Sequence, residues 1–529
     1  MQKYKKLYGK IEKLKDFYDK LLSEVKNMPD RDDKRDAVLS LIRIAMVCNP
    51  GYWTCSYIEK YLADYAKTIK LEDYSKEYIP NSFLHVMTTG YSSGGHTRVV
   101  ERCIENAPQT QSHSVVILNN SGFDTLVLEN NIKEKNGQLI IFNGEDSINK
   151  KALDLRKLAL NYEYIVLHTH MHDIIPTLAF GVEEFKRPVI LYNHATHLFW
   201  IGKSIADVVI DIINGDNVTK IRRNIPDSYF MGIPSKEIVF KNKDKVAARI
   251  KLGIPLDKKI IVTSGKSIKF SILDDEDNYA RVIEKIINKN TYCYMIGLDK
   301  NDKKWSKYIR KSKGHIIQKD SVGFYEGYLD YLAAADLYID SYPIAGGTAM
   351  MDAISQNTPS ISLKSTFSQL NYLTETRAYL DTPEEFIKTA KKILNDESFG
   401  AEITAELQNS LVKYQSKQAW NQRMDNLLKI VPKEHIVKDL SNEEDNNIID
   451  DYTVLVNVSL DKNFFGKNSK INTLLSQSPK ATIKNGILYR KFGIPYILEI
   501  KKYTKGCFKI ININLFNIKI YEKKKRFNI

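Results

Sequence analysis

The chain has few cysteines: five in 529 residues, at Cys48, Cys55, Cys103, Cys293 and Cys507. An odd, scattered set is not a disulfide framework, and Cys48 and Cys55 stand too far apart for a Cys-x-x-Cys pair. No His/Cys group has zinc-ligand spacing, so no metal site is expected. No apolar run approaches the ~18–20 residues that a membrane span needs. The opening "MQKYKKLYGKIEKLKDFYDKLL" is charged throughout and lacks the apolar core of a secretory signal. Internal repeats and low-complexity tracts are also missing. These absences argue against an integral membrane protein and against a disulfide-stapled one. The expectation is a cytoplasmic protein in a reducing compartment.

Acidic charge is scarce in one region only. The net charge is +14, and residues 451–529 hold 16 Lys/Arg against four Asp/Glu, a net +12. The first 450 residues therefore carry only +2. A basic body would suggest nucleic acid; a neutral body with a basic tail (452–529) does not. Between them "PKEHIVKDLSNEEDNNIIDD" (432–451) is acidic and poor in large apolar residues, and reads as a linker.

The chain is too long for one ordinary core, and 43% of it is hydrophobic. Residues 1–78 read as a helical region, with Ile11, Leu14, Phe17, Leu21 and Leu22, then Leu39, Ile42 and Met46, at helical spacing. From Phe83 the pattern changes. "FLHVMT", "HSVVIL", "LIIFN", "YIVLHT", "PVILYNH" and "DVVIDII" are strands of the kind buried on both faces of a parallel sheet. A second series follows: "KIIVTSG", "TYCYMIG", "HIIQK", "DLYIDSYP" and "PSISL". Helical segments separate them, as from Asn278 to Asn288 and from Thr348 to Gln356. This is an α/β chain of βαβ units in two doubly wound, Rossmann-like domains, 79–235 and 236–431. Ligands of such sheets bind beyond the carboxyl ends of the strands.

Two strand-to-helix joints stand out at those ends. "MTTGYSSGGHTRVVERC" (Met87–Cys103) places Gly94 and Gly95 where a backbone can approach a ligand, with His96 and Arg98 in the first turn of a helix. A tight turn explains the glycine pair equally well. "ADLYIDSYPIAGGTAMMDAISQNTPSISL" (Ala335–Leu363) puts Gly346, Gly347 and Thr348 at a helix start. Their N–H groups and the Thr348 hydroxyl suit a diphosphate, and Asp352, about a turn later, suits a ribose. The plainer alternative is a glycine-rich helix start beside a surface carboxylate. His168, His170 and His172–Asp173 follow one strand of the first series, and His194 and His197 another. Each alone fits a packed core position; together with His96 they converge on one cleft, where a neutral imidazole can take a proton. Trp200 fits either a sugar-stacking wall or the core. "LDDEDN" (273–278) reads as the solvated start of a helix, not as a metal motif.

Asp340-Ser-Tyr-Pro, then Gly346-Gly347-Thr348, then Asp352, then Thr358-Pro359, resembles the nucleotide-sugar motif of the O-GlcNAc transferase family and its bacterial relatives among the GT-B glycosyltransferases. "ARIKLGIPLDKKIIVTSG" (248–265) resembles the entry into a GT-B C-terminal domain. The resemblance covers roughly residues 80–430. It implies two facing domains of GT-B type, the first on the acceptor side and the second holding a nucleoside-diphosphate sugar, with UDP the expected nucleotide. It implies no further cofactor and no metal. Lys269, in "GKSIKF" beyond Gly265, matches the lysine that neutralises the leaving diphosphate. Gly346, Gly347, Thr348 and Ala349 match the phosphate turn, although relatives often carry a second threonine where Ala349 stands. Asp352 matches the ribose-binding acid. The first-loop histidine of relatives often serves as base, which favours His96; His194 resembles a histidine that contacts the donor sugar, and His170 is a further candidate for the base. Retaining relatives pair two Glu eight positions apart, and eight before Asp352 is Ile344, which favours inversion. The expected acceptor is a glycan, a lipid-linked glycan or a protein. The basic tail is expected to touch anionic membrane at its inner face. A sugar-nucleotide epimerase of the same fold and a nucleic-acid binder using the tail are the competing readings.

Overall fold

Runs of Val, Ile and Leu without polar alternation are stable as strands only where both faces are covered. The computed structural model places these runs in two parallel sheets. It describes residues 5–91, 95–119, 122, 124–212, 218–234, 238–241, 244–270, 278–320, 322, 327–365, 370–461, 464–492, 498–505, 508–515 and 518–526. The first sheet contains β1 (Ile79–Met87), β2 (Ser112–Ile117), β3 (Leu139–Ile141), β4 (Tyr162–His168), β5 (Val189–Asn193), β6 (Val208–Asp211) and β7 (Tyr229–Phe230), in the order β3-β2-β1-β4-β5-β6-β7. The second contains β8 (Lys259–Ser264), β9 (Thr291–Ile296), β10 (Ile316–Lys319), β11 (Leu337–Ile339), β12 (Ser360–Leu363) and β13 (Tyr379–Leu380), in the order β10-β9-β8-β11-β12-β13. The two-residue strands β7 and β13 are too short to leave a pattern in the sequence. In both sheets the strand order reverses at the first strand, between β1 and β4 and between β8 and β11. That switch point opens a crevice where ligands of doubly wound sheets bind.

Helices cover the first sheet on both sides. On one side α1 (Lys5–Lys26), α2 (Asp32–Val47) and α3 (Ser56–Ala66) share a core with Leu84, Val86, Ile165 and Leu167. On the other, α4 (Gly95–Asn106) brings Val99 and Cys103 against Phe83, Val166 and Tyr192. Trp420 and Leu427 join this second face from the helix Lys417–Ile430, which follows the second domain in sequence and packs back on the first. The second sheet has its own core around Ile261, Tyr338, Met350 and Ile361.

The stretch 432–451, expected as a linker, lies along the first domain. His435 Nδ1 is 2.7 Å from Asp207 Oδ2, the Lys438 N–H donates to the Ser204 carbonyl, and Asp445 accepts from the N–H and hydroxyl of Ser56. Several of its polar residues thus find partners on that surface. Beyond it, "DYTVLVNVSL" has the β-branched composition of a strand, yet Asp451–Leu460 is a helix. Asp450 caps it by accepting from the Thr453 N–H, and Val454, Leu455 and Val458 are buried with the N-terminal helices. Core packing has overridden β-propensity. Helices Lys470–Leu475 and Pro479–Phe492 continue that layer. So 452–492 belongs to the helical face of the first domain, and the basic tail proper is an antiparallel sheet of β14 (Leu498–Lys505), β15 (Phe508–Leu515) and β16 (Ile518–Arg526). Among the described residues no helix is long and apolar enough to cross a membrane. Cys48, Cys55, Cys103 and Cys293 are free and buried; Cys507 lies outside the described residues.

Candidate functional site

Both glycine-containing joints sit at switch points. The first joint runs from the end of β1 into α4, beside the turn that follows β4. Thr88 ties the two loops together: its hydroxyl donates to Asp173 Oδ2 at 2.5 Å and accepts from the His170 N–H at 2.9 Å. Asp173 also accepts from the Ile175 N–H, and burial holds its carboxyl above the usual range. Tyr91 Oη lies 3.2 Å from His170 Nε2, and the rings stack. His96 stands in the first turn of α4, edge-on to His194 with 4.4 Å between ring centres and 5.7 Å from His170. The three histidines singled out in the sequence are thus brought together. Apart from one approach to the backbone of His168, the buried ring nitrogens of His96 have no hydrogen-bond partner among the described residues. Burial and the neighbouring His170 lower its pKa to about 4, so it is a neutral imidazole at pH 7. Gly94 lies outside the described residues, and Gly95 is the first residue of α4.

Beneath this cluster lies an arrangement that the sequence did not reveal. His113, His85, His168 and His194 form a hydrogen-bonded row on one face of the sheet. His113 Nδ1 is 2.9 Å from His85 Nε2, His85 Nδ1 is 3.0 Å from His168 Nε2, and His168 Nδ1 is 2.9 Å from His194 Nε2. Strand register explains it. His113 pairs with Phe83, His85 is two residues further, His168 pairs with Met87, and Leu167 pairs with Leu191, which sets His194 two residues beyond the level of His168. Each step is one strand across and two residues up, roughly 8 Å, a span that adjacent imidazoles bridge. The row climbs from the interior to the cleft. His85, His113 and His168 are at most 3% exposed, and burial depresses the pKa of each, that of His85 to about 3. His194, half-buried at the upper end, is depressed for the same reason. His168 is therefore a core residue of the row, and Trp200 is also core: it is fully buried with the Arg223 guanidinium over its ring, not a cleft wall.

The second switch point joins the loop after β8 to the loop after β11. Lys269 lies in the short turn Ser267–Phe270, and its ammonium donates to the Ala345 carbonyl at 3.1 Å. Gly265 passes close by: a Cβ there would sit 3.0 Å from the Lys269 side chain. Asp340, at the end of β11, accepts from the Ser341 N–H at 2.8 Å and the Gly346 N–H at 2.7 Å, folding the loop back on itself. A Cβ on Gly346 would stand 2.5 Å from that same carboxylate oxygen, so the position requires glycine. Gly347 has φ +55°, and its carbonyl accepts from Tyr372 Oη at 2.8 Å. The helix Thr348–Ser355 then begins with an exposed Thr348, followed by Ala349. Burial pushes Asp340 up to about 6 against the pull of Lys269, and lowers Lys269 against the pull of Asp340. The outcome is a cationic side chain beside a helix N-terminus around one turn, the equipment of an anion site.

Asp352 is half-buried one turn further, also raised to about 6 by burial and opposed by Arg102 and Arg98 of α4. Ile344, in the loop after β11, packs against the first domain's core. The switch points therefore face each other across one cleft. Asn278 caps the helix Tyr279–Ile286 by accepting from the Ala280 N–H; the rest of "LDDEDN" lies outside the described residues. Among the described residues no cluster of three or more His, Cys, Asp or Glu is placed to hold a metal ion.

Two Rossmann-type domains with facing switch points are the GT-B fold. Solved structures agree. HepE of Anabaena, determined in complex with UDP and glucose, matches with a TM-score of 0.50 and 13% identity, covering 66% of this chain and 99% of its own. A glycosyltransferase from Rickettsia africae matches with a TM-score of 0.51 and 11% identity, covering 69% of this chain and all of its own. At such identities the likeness is one of fold. No family model matches the sequence, and no curated protein matches it.

Proposed function

We propose that the protein is a glycosyltransferase that moves a sugar from a nucleoside-diphosphate sugar, with UDP as the nucleotide, to a glycan, a lipid-linked glycan or a protein. The observation that carries this reading is complementary equipment at the two switch points: neutral histidines on one, a lysine and a helix N-terminus on the other. Breaking the bond between the sugar and its diphosphate builds negative charge on the leaving group. Lys269 and the helix N-terminus at Thr348 meet that charge more strongly in the transition state than in the ground state. No metal is needed for this step. His96, neutral and without a side-chain hydrogen-bond partner among the described residues, takes the acceptor's proton, with His194 and His170 beside it. Asp352 binds the ribose. Ile344 occupies the place of the first carboxylate of retaining relatives, which supports inversion. The same fold in HepE, solved with UDP and glucose, supports the donor class. The enzyme works at the cytoplasmic face of a membrane, held there by its basic tail.

Thermal shift against a panel of nucleoside diphosphates tests the donor side, since a ligand that binds only the folded state raises its stability by mass action. UDP is expected to give the largest shift; no shift with any of them refutes the reading. Incubation with UDP-sugar alone separates it from an epimerase, which would convert the donor without an acceptor. His96→Ala is expected to abolish transfer while sparing UDP affinity; loss of both together would make His96 structural or a donor contact.

A further inference from the structure

The histidine row has a terminus that none of the roles above uses. At its inner end His113 Nε2 lies 3.2 Å from Gln111 Oε1, and Gln111 is buried. A carboxamide oxygen only accepts hydrogen bonds. His113 must then carry its proton on Nε2, which leaves Nδ1 as an acceptor. A neutral imidazole has one donor and one acceptor, so the assignment propagates. His85 donates from Nε2 to His113 Nδ1, His168 donates from Nε2 to His85 Nδ1, and His194 donates from Nε2 to His168 Nδ1. Every proton in the row points toward Gln111, and His194 is left with a bare lone pair on Nδ1. That nitrogen has no hydrogen-bond partner among the described residues, and its ring touches His96.

We propose that Gln111 is a positioning residue: through His113, His85 and His168 it locks His194 in the Nε2–H tautomer and so keeps the His194 Nδ1 lone pair available as a second proton acceptor beside the base His96 at the cleft. This rests on the transferase reading only for the use made of that lone pair. The row orients and does not drain. A proton taken by Nδ1 could pass along it only by leaving a cation at His113, where Gln111 has no means of accepting it. Lys135 adds repulsion at that end, and burial opposes charge on every ring between. The proton therefore stays at the cleft end. A cavity lined mainly by apolar groups, among them Phe83, Cys103, Val166 and Leu427, runs beside the row and reaches Gln111.

The test reads tautomers directly. Ring-nitrogen NMR of the full chain labelled with 15N-histidine, with His194 assigned by its loss in His194→Gln, is expected to show Nε2 protonated and Nδ1 bare. Gln111→Glu keeps an acceptor in place and should retain this signature. Gln111→Met removes the acceptor and should yield both tautomers of His194 and a fall in turnover of about twofold, with UDP affinity unchanged, because His194 supports the base His96 only in the tautomer with a bare Nδ1. Gln111→Lys offers only donors; if it folds, it should invert the row and lower turnover by on the order of tenfold or more, out of the ~10²–10⁴ that a positioned base supplies. A wild-type His194 protonated on Nδ1, or a His194 signature unchanged in Gln111→Met, overturns the proposal. The spectra need no substrate. Tautomers that follow residue 111 in a protein that transfers no sugar would uphold the row and sink the transferase reading; transfer with unchanged tautomers would do the reverse.

Discussion

The buried histidine row should make the first domain acid-labile well before ordinary acid denaturation. The perturbation is a drop from pH 7.0 to pH 5.0. His85, His113 and His168 are held below their ordinary titration range by burial, and each is at most 3% exposed. In the unfolded chain they titrate near 6.5. The unfolded state therefore binds more protons below that pH, so the stability they confer is complete above about 6.5 and is lost as the pH falls. For one such group the loss at pH 5.0 is about 2 kcal/mol, and three give about 6 kcal/mol. His96 and His197, both lowered to about 4, add in the same direction, while the buried carboxylates of Glu59 and Asp173, held above their usual range, offset part of it. A loss of this size is comparable to the whole stability of many domains, about 5–15 kcal/mol. Hydrogen exchange of peptides covering β1 and β4, corrected for the intrinsic pH dependence of exchange, reads the local opening free energy. The second sheet supplies an internal contrast. Asp340, raised to about 6, binds its proton more tightly in the folded state, so over the same interval it returns about 1 kcal/mol to β8 and β11. Protection of β1 and β4 at pH 5.0 within about 1 kcal/mol of that at pH 7.0 would refute the reasoning. So would a His85→Gln variant with an undiminished pH dependence, since removing one titrating ring should remove about 2 kcal/mol of it.

Three further outcomes are expected. Lys269→Met keeps the aliphatic stem and removes the charge; turnover should fall by on the order of 10²–10³ with the fold intact, measured as kcat beside a circular dichroism melt. Near-normal transfer would remove Lys269 from the donor site. Gly346→Ala must displace the Asp340 carboxylate, 2.5 Å from the added carbon, and with it the bonds to Ser341 and Gly346; a loss of about 2 kcal/mol is expected in urea unfolding, together with weaker UDP binding. Unchanged UDP affinity would show that this turn does not form the nucleotide site. Anionic liposomes should sediment the full chain but not one ending at Phe492, and added salt should weaken the binding, because basic residues near such a surface contribute about 1 kcal/mol each within a Debye length. Equal sedimentation of both chains, or none of either, rules out membrane recruitment by β14–β16.

Much of the architecture was legible in the sequence. Uninterrupted apolar runs such as "YIVLHT" and "KIIVTSG" can be stable only between two covered faces, and their alternation with helical stretches leaves few topologies open. The glycine pairs marked the strand-to-helix joints because Gly346 and Gly347 occupy positions that a side chain would crowd or strain. His96, His170 and His194 could be placed at strand ends by counting alone. What counting could not supply is register. Whether His113, His85, His168 and His194 touch depends on how far each strand slides along its neighbour, and a one-residue slip would have sent an imidazole to the opposite face. Gln111, two residues before a strand histidine, carries no motif; only the hydrogen bond to His113 sets it apart. The facing of Asp352 toward Arg102, the burial of Trp200, and the helix formed by the Val-rich "DYTVLVNVSL" were decided likewise by packing between segments distant in sequence. Local pattern fixes the period of an element and its ends, while the partners of each side chain are chosen by the three-dimensional burial of everything else.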